Sequence, residues 1–290
     1  MKKIIFLILH YYTIEDTIKC INSIEKLDYK NKQIVVVDNG SPNNSGTKLQ
    51  KLYKKSENIH IILSKENLGF ARGNNLGFKY AKEKLKADFI VMCNNDIIII
   101  QNDFCQQIIK EYSNSNFALL GPKIYLKDES IYAYNDTLPT LNNLKTKLFD
   151  TKLFYYLNKI HLRYVYAIYY RIKKIFIKEK KVDTAIRKEN VILHGCCLIF
   201  SKKYINKFNG IDDRTFLYYE EPLLYLRIKI NQMKSVYNPD MYILHNEGIS
   251  TNKSIKNKRK KIDFKLKYEI DSLKILISEL ETNMGDTYVK

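Results

Sequence analysis

The sequence lacks paired cysteines, a membrane-length apolar run and a glycine-rich loop after its first strand, and each absence removes a class of function. Its 290 residues hold five cysteines, Cys20, Cys93, Cys105, Cys196 and Cys197, an odd number with no Cys-x-x-Cys spacing. A disulfide-stapled miniprotein is excluded, and the apolar surroundings suit buried thiols in a reducing, cytoplasmic setting. No window approaches the roughly 20 apolar residues of a membrane span, so no segment is expected to cross a bilayer. Residues 1–9 imitate a signal peptide, but the apolar stretch is short and runs into His10 without a small-residue cleavage site. It reads instead as a first strand. The loop that follows, His10-Tyr11-Tyr12-Thr13-Ile14-Glu15-Asp16, contains no glycine, so the Gly-x-Gly-x-x-Gly turn of a dinucleotide site is missing and nicotinamide chemistry is set aside. No internal repeat is present.

The formal charge of +18 suggests a nucleic-acid binder until its distribution is considered. Residues 145–181 hold 11 Lys/Arg against Asp150 and Glu179, and residues 253–267 hold 8 against Asp263. These two stretches carry 16 of the 18 net charges, so the rest of the chain is close to neutral. Such asymmetry points to two local surfaces that meet something anionic.

Four apolar runs, at 4–9, 34–37, 59–63 and 89–92, recur about every thirty residues, the length of a strand-helix-strand unit. Unalternating runs fit parallel strands covered on both faces. Helical patterns lie between them at 16–27, 47–55 and 74–85. The first half is therefore expected to be an open α/β layer. A second ordered block is expected at 191–245, with a strand at 192–200, a short helix at 202–208 and a helix beginning near Pro222. Leu266, Ile270, Leu273, Ile277 and Leu280 put one apolar face on a last helix over 262–281. The resulting organisation is a donor half at 1–125, a basic aromatic insertion at 126–190, a second half at 191–250 and a basic segment with a terminal helix at 251–290.

In open α/β sheets ligands collect beyond the carboxyl ends of the strands, where helix amino ends also point. The segments there are His10-Tyr11-Tyr12, Asp38-Asn39-Gly40-Ser41, residues 65–75 and Asn94-Asn95-Asp96. Asp38 can accept hydrogen bonds from a ribose or base, although Asp-Asn-Gly-Ser is equally ordinary turn chemistry. Three polar residues directly after a buried strand lose core packing unless they meet a ligand. A divalent cation with a diphosphate is the natural candidate, since Mg²⁺ or Mn²⁺ takes one or two carboxylates and fills its shell with phosphate and water. Arg72, among glycines and asparagines, can hold phosphate bidentately.

The order Val-Val-Val-Asp-Asn-Gly-Ser at 35–41, Glu-Asn-Leu-Gly-Phe-Ala-Arg-Gly-Asn-Asn-Leu-Gly at 66–77, Asn-Asn-Asp at 94–96, Phe-Leu-Tyr-Tyr-Glu-Glu at 216–221 and His245 resembles the family 2 inverting glycosyltransferases of GT-A fold, particularly the bacterial rhamnosyl and capsular-polysaccharide type. The resemblance covers about residues 3–125 and 190–250. It implies a Rossmann-like, mixed but mostly parallel central sheet flanked by helices, with the basic insertion and the C-terminal helix added. It further implies a nucleotide diphosphate sugar as donor and a glycan or polyprenyl-linked saccharide as acceptor. Asp38 would hold the nucleoside, with His10, Asn67, Gly69, Arg72, Asn75 and Asn95 around the donor. Asp96 matches the metal-binding acid of the family's Asp-x-Asp motif, whose first acid is Asn94 here, and His245 matches a histidine near the diphosphate that binds metal or phosphate. His194 and Gly195 lie where the family borders its acceptor.

The family shows Glu-Asp where this chain has Glu220-Glu221, and Glu221 matches the aspartate that serves as catalytic base. Proline favours the first helical position, so Pro222 is expected to leave Glu221 at the helix cap. A helix amino end lowers a carboxyl pKa, whereas burial beside Glu220 raises it. The sequence leaves open which prevails and which glutamate is the base. An acidic helix start without catalysis also accounts for the pair.

Residues 145–181 interleave nine aromatics with their cations, a composition that can lie in a membrane interface. Together with 253–267 they are expected to hold the protein peripherally at the inner face of the cell membrane, and a solvated tyrosine-packed subdomain is the alternative. A nucleic-acid binder would use the same residues for stacking and phosphate contact. It leaves Asp38, Asp96 and the glutamates unexplained, because carboxylates repel a polyanion. A GT-A domain that has lost activity and serves as an assembly partner is a further alternative.

Overall fold

The computed structural model of the protein describes residues 1–128, 130–162, 164–165, 182–246 and 258–284. The part of the basic insertion at 163 and 166–181, with Tyr166, Tyr169 and Tyr170, and the start of the second basic stretch up to 257, lie outside the described residues.

The elements in chain order are β1 (Ile4–His10), α1 (Ile14–Glu25), β2 (Lys32–Asp38), α2 (Ser45–Leu52), β3 (Ile59–Leu63), α3 (Gly69–Glu83), β4 (Phe89–Asn94), β5 (Ile97–Ile98), α4 (Phe104–Ser115), β6 (Leu119–Leu126), β7 (Ile131–Tyr132), β8 (Tyr134–Asn135), α5 (Leu141–Lys159), β9 (Lys188–Glu189), β10 (Ile192–Leu193), β11 (Cys197–Ser201), α6 (Lys202–Lys207), α7 (Glu220–Ile230), β12 (Ser235–His245) and α8 (Lys258–Met284). The main sheet runs β3-β2-β1-β4-β11-β6-β12-β5. The first four strands are parallel, β11 lies antiparallel between β4 and β6, and β12 is parallel to β6. The parallel strands expected from the apolar runs, and the mixed, mostly parallel sheet implied by the resemblance, are therefore present.

Alternation along each strand feeds two apolar layers. Ile4, Phe6 and Ile8 pack with Cys20, Ile21 and Ile24 of α1 and Phe104 and Ile108 of α4. Ile5 and Leu7 pack with Ala71, Phe78 and Ala81 of α3 and Tyr204 of α6. A third cluster joins Leu223 and Leu226 of α7 to Leu144 of α5 and to Leu273, Leu276 and Leu280 of α8. The last helix is thereby fastened behind the segment that carries the glutamate pair. All five cysteines are buried and free, and burial pushes the thiols of Cys105, Cys196 and Cys197 up, Cys105 to about 12.

Several boundaries differ from the sequence expectation. The strand expected over 192–200 is broken into β10 and β11 by a turn at His194-Gly195-Cys196. Helix α3 begins at Gly69, so most of the expected 67–75 loop is helical. The Asn67 Oδ1 accepts the Gly69 N–H at 2.9 Å, which supplies a start signal. Helix α8 extends beyond 262–281 at both ends.

Gly77 permits the close approach of α3 to the sheet: a Cβ there would collide with Leu7 Cδ1 and lie 2.8 Å from Val37 Cγ2. We expect Gly77→Val to lower the unfolding free energy by about 2–3 kcal/mol through overpacking, read by urea titration; an unchanged midpoint would show that α3 can back away.

Candidate active site

The register sets His10 beside Asp38 and Leu9 beside Asn94, so the carboxyl ends of three parallel strands form one edge. Strand β12 ends at the same edge, where its antiparallel pairing with β5 puts His245 against Ile97. The Asn246 N–H donates to the Asp96 carbonyl at 2.9 Å. This pairing sets the Asp96 Oδ1 3.1 Å from His245 Nε2, with both residues buried.

Polar side chains beneath the edge are spoken for. The His10 ring is fully buried and hydrogen-bonds through Nδ1 to Thr17 Oγ1 at 2.7 Å and through Nε2 to Ser45 Oγ at 2.8 Å. Burial pushes its pKa down to about 4 against a smaller opposing effect of Glu15, so at neutral pH its 3.9 Å approach to Asp38 is no ion pair. Asn95 donates through Nδ2 to Thr13 Oγ1 at 2.8 Å and Thr17 Oγ1 at 2.9 Å. His10 and Asn95 thus pin the start of α1 to the sheet.

Asp38 is buried against the first turn of α2, where a Cβ at Gly46 would overlap its carboxylate. Burial raises its pKa, and hydrogen bonds from Ser41 oppose the shift. Asn39 fastens the neighbouring turn: its Nδ2 donates to Asn67 Oδ1 at 3.1 Å and to the Gly69 carbonyl at 3.0 Å, and its Oδ1 accepts the Leu68 N–H at 2.9 Å. Asn75 hydrogen-bonds both backbone groups of Ile211 at 2.9 Å. Arg72 is not brought to the cleft described below. Because the helix already begins at Gly69, position 72 faces outward, where its Nε donates to the Asp213 carbonyl at 3.1 Å. It borders a separate recess with Asn75, Lys79 and Arg227.

A cleft of about 790 Å³ opens beside Asn94 and is lined by residues 132–135 of β7 and β8, the 192–196 segment, residues 217–222 and Lys265 and Glu269 of α8. Glu220 and Glu221 both border it. Helix α7 starts two residues earlier than Pro222 led us to expect: Tyr219 is the cap, Glu220 and Glu221 occupy the first two helical positions, and Pro222 is third. Proline's missing N–H is tolerated there because the first four amides of a helix have no intrahelical partner. Two consecutive tyrosines, Tyr218 (φ 74°) and Tyr219 (φ 66°), adopt left-handed backbone before the pair. Each such residue costs on the order of 1–3 kcal/mol and persists only where the surroundings enforce it.

Those surroundings are specific. The Phe216 carbonyl accepts the Phe70 N–H at 2.8 Å, and its ring stacks on Tyr268 of α8 at 4.2 Å. Ser272 donates to the Leu217 carbonyl at 2.8 Å, and Lys265 Nζ lies 6.0 Å from the Tyr218 ring centroid. At the cleft floor the Gly195 N–H donates to Glu221 Oε1 at 3.2 Å, and a Cβ at Gly195 would sit 2.7 Å from that oxygen. His194 stacks on Tyr132 at 5.1 Å and meets the His245 ring edge-on at 6.4 Å. A continuous line thus runs from Asp96 through His245 and His194 to Tyr132 of β7.

The sequence reading did not single out Asn39, Phe216, Tyr132, Tyr134, Lys265, Tyr268 or Glu269. Asn39 lay within a quoted turn, and the α8 residues occupy a second face at steps of three and one beside the apolar face that was read. Tyr132 and Tyr134 carry no local signal, because only the fold brings 132–134 beside 192–194.

Burial and then the charge of Glu221 raise the Glu220 carboxyl from 4.5 to about 7, while the Thr215 hydroxyl, which donates to Glu220 Oε1 at 3.0 Å, opposes the shift. A raised folded-state pKa contributes stability that is complete below the unfolded value and lost as pH rises through the folded one. We expect wild type to lose up to about 3 kcal/mol relative to Glu220→Gln between about pH 4.5 and pH 8, by urea unfolding. Parallel stability profiles would show that Glu220 titrates normally.

Residues 7–208 match the sequence profile described as glycosyl transferase family 2. The chain is 26% identical over 192 residues to the low-salt glycan biosynthesis hexosyltransferase Agl10 of Haloferax volcanii, covering 65% of this chain and 50% of that protein. It is 31% identical over 109 residues to the dTDP-rhamnosyl transferase RfbF of Shigella flexneri, covering 38% and 35%. The chain thus spans about half or less of the curated relatives it matches. Among solved structures it resembles S. aureus TarS in complex with UDP-GlcNAc (TM-score 0.57, 13% identity, 97% of this chain and 67% of that one). It also resembles the mannosyltransferase PcManGT of Pyrobaculum calidifontis in complex with GDP-Man and Mn2+ (TM-score 0.53, 10% identity, 96% and 74%). These likenesses agree with the GT-A sheet described above, and the profile match over most of the sequence shows that the chain belongs to glycosyl transferase family 2.

Proposed function

We propose that the protein transfers a hexose or deoxyhexose from a nucleoside diphosphate donor to a hydroxyl of a glycan or lipid-linked saccharide, with inversion at the anomeric carbon and with a divalent metal. The observation that carries this reading is the acidic pair Glu220–Glu221 at a cleft that opens beside Asn94, on the strand-end edge where Asp38 and Asp96 also lie.

Asp38 holds the nucleoside in this proposal, and Asn67, Gly69 and Asn39 shape the backbone around it. Asp96 and His245 supply one oxygen and one nitrogen donor 3.1 Å apart. Among the described residues no three His, Cys, Asp or Glu side chains are grouped to cage an ion. Two protein donors nonetheless fit Mg²⁺ or Mn²⁺, because diphosphate oxygens and water complete the shell. Bound there, the ion would supply positive charge for the departing diphosphate.

Glu221 is assigned as the base. Adjacent carboxyl groups cannot both ionise cheaply, and buried Glu220 takes that penalty, which leaves Glu221, oriented by the Gly195 amide, as the group to accept a proton. It removes the proton of the acceptor hydroxyl while that oxygen attacks the anomeric carbon from the face opposite the leaving diphosphate. The bond from sugar to diphosphate breaks, its electrons staying on the leaving group. His194, Gly195 and Tyr132 border the acceptor side. Arg72 enters as a strut for the 211–213 segment.

In this proposal the transfer serves cell-surface polysaccharide or capsule assembly, on a lipid-linked acceptor at the inner face of the membrane. A thermal-shift panel of nucleoside diphosphate sugars with and without Mn²⁺ should reveal one donor that stabilises the fold by about 2.7 kcal/mol at a hundredfold excess over its Kd. Asp96→Asn should lose the Mn²⁺-dependent part. With that donor, Glu221→Gln is expected to reduce kcat by about 10²-fold or more with the donor-induced Tm shift retained, whereas Glu220→Gln keeps transfer within about tenfold of wild type. Full transfer by Glu221→Gln would remove it from the base role.

A further inference from the structure

Helix α5 changes character along its length: Leu141, Leu144 and Leu148 pack in the third apolar cluster, but the half that follows is polar inside. Three of its four buried residues are polar, Asp150, Thr151 and Asn158, and Asn158 Nδ2 donates to Asp263 Oδ1 of α8 at 2.8 Å. In this second half the large apolar side chains of Phe149, Leu153 and Tyr156, with Ile160 at the cap, point the other way and are 66%, 38%, 64% and 60% exposed. Their spacing of four, three and four puts them on one stripe of the helix. Just past the helix, Tyr164 is 68% exposed. A stretch of helix that turns Phe149 and Tyr156 to solvent and its asparagine inward gives up apolar burial, so the exposed face needs an occupant.

The charge around the stripe says which. Lys152 and Lys159 lie on the same face as Phe149, Tyr156 and Ile160, at one- to four-residue separations, and both are exposed. At the far end of α5, the first turn of the antiparallel α8 adds Arg259, Lys260 and Lys261. Arg259 donates to the Lys159 carbonyl and to His161 Nε2 at 2.7 Å, which fixes this basic end to the stripe. The described acids nearby are Asp263, which accepts from Asn158, and Asp150, which is buried on the inward face. Aromatics and aliphatics rimmed by cations match the headgroup layer of an anionic membrane, with rings at the acyl boundary and lysines reaching the phosphates. No described helix is long and apolar enough to cross a bilayer, so contact would lie in the interface plane.

We infer that the outward face of α5, with the basic start of α8, docks on an anionic lipid surface. Lys265, which lines the cleft, lies six residues beyond Arg259, about 9 Å along the helix, so docking brings the cleft close to the headgroups. That consequence rests on the proposed lipid-linked acceptor. The docking itself does not, because its readout is binding and needs no activity.

The test is co-sedimentation of the full chain with vesicles of equal parts phosphatidylglycerol and phosphatidylcholine, against phosphatidylcholine alone, with size-exclusion light scattering run in parallel. We expect binding to the anionic vesicles that falls at least about tenfold on pure phosphatidylcholine and falls with salt. Tyr156→Glu with Ile160→Glu, and separately Lys152→Glu with Lys159→Glu, should each reduce binding about tenfold or more, with melting temperatures near wild type because all four side chains are exposed. Vesicle binding unchanged in both variants would overturn the inference. A dimer disrupted by Tyr156→Glu with no vesicle binding would also overturn it, by assigning the stripe to a second copy of the chain.

Discussion

The packing of Phe216 between two distant parts of the chain is the constraint on which the candidate site depends. One side of the 216–219 segment is fastened to the start of α3, where the Phe216 carbonyl takes the Phe70 amide and a side chain at Gly69 would have no room. The other side is fastened to α8 by the Phe216–Tyr268 stack and the Ser272 hydroxyl. Between these attachments the backbone passes through two left-handed tyrosines and delivers Glu220 and Glu221 to the cleft. Neither attachment alone would hold that conformation, since its strain of a few kcal/mol is of the size of one or two such contacts.

The edge at the strand ends is rigid for a different reason. Its polar groups are spent on the fold itself: His10, Asn95, Thr13 and Thr17 bond one another beneath the strands, and Asn39 ties down the start of α3. Buried polar networks of this kind specify one arrangement because every unsatisfied member would be costly. They leave Asp38, and Asp96 with its partner His245, in fixed positions at the edge. The proposed chemistry then needs only a ligand, not a rearrangement of the sheet.

Much of this was legible in the sequence where local signals coincide. Apolar runs of strand length gave the parallel strands, and the polar residues after them gave the edge, because side-chain period and strand ends are properties of short segments. The roles within the edge were less legible. His10 and Asn95 read as donor contacts, yet the structure spends their side chains on pinning α1, and Arg72 faces Asp213 because Gly69 starts the helix earlier than composition suggests. The cap before Glu220 was misplaced because proline at a third helical position costs as little as at the first. The clamp from α8 was invisible, since it joins residues about fifty apart whose only sequence mark is a second helix face.

The account therefore turns on whether α8 holds the glutamate pair in place. Tyr268→Ala removes the stack on Phe216 and touches neither Asp38, Asp96 nor the glutamates. The decisive measurement is sugar transfer and donor affinity in this variant, side by side. The account predicts that kcat falls about tenfold or more, as expected for a misplaced base, while donor affinity stays within about twofold. Transfer at the wild-type rate would contradict it, and so would loss of donor binding in step with transfer.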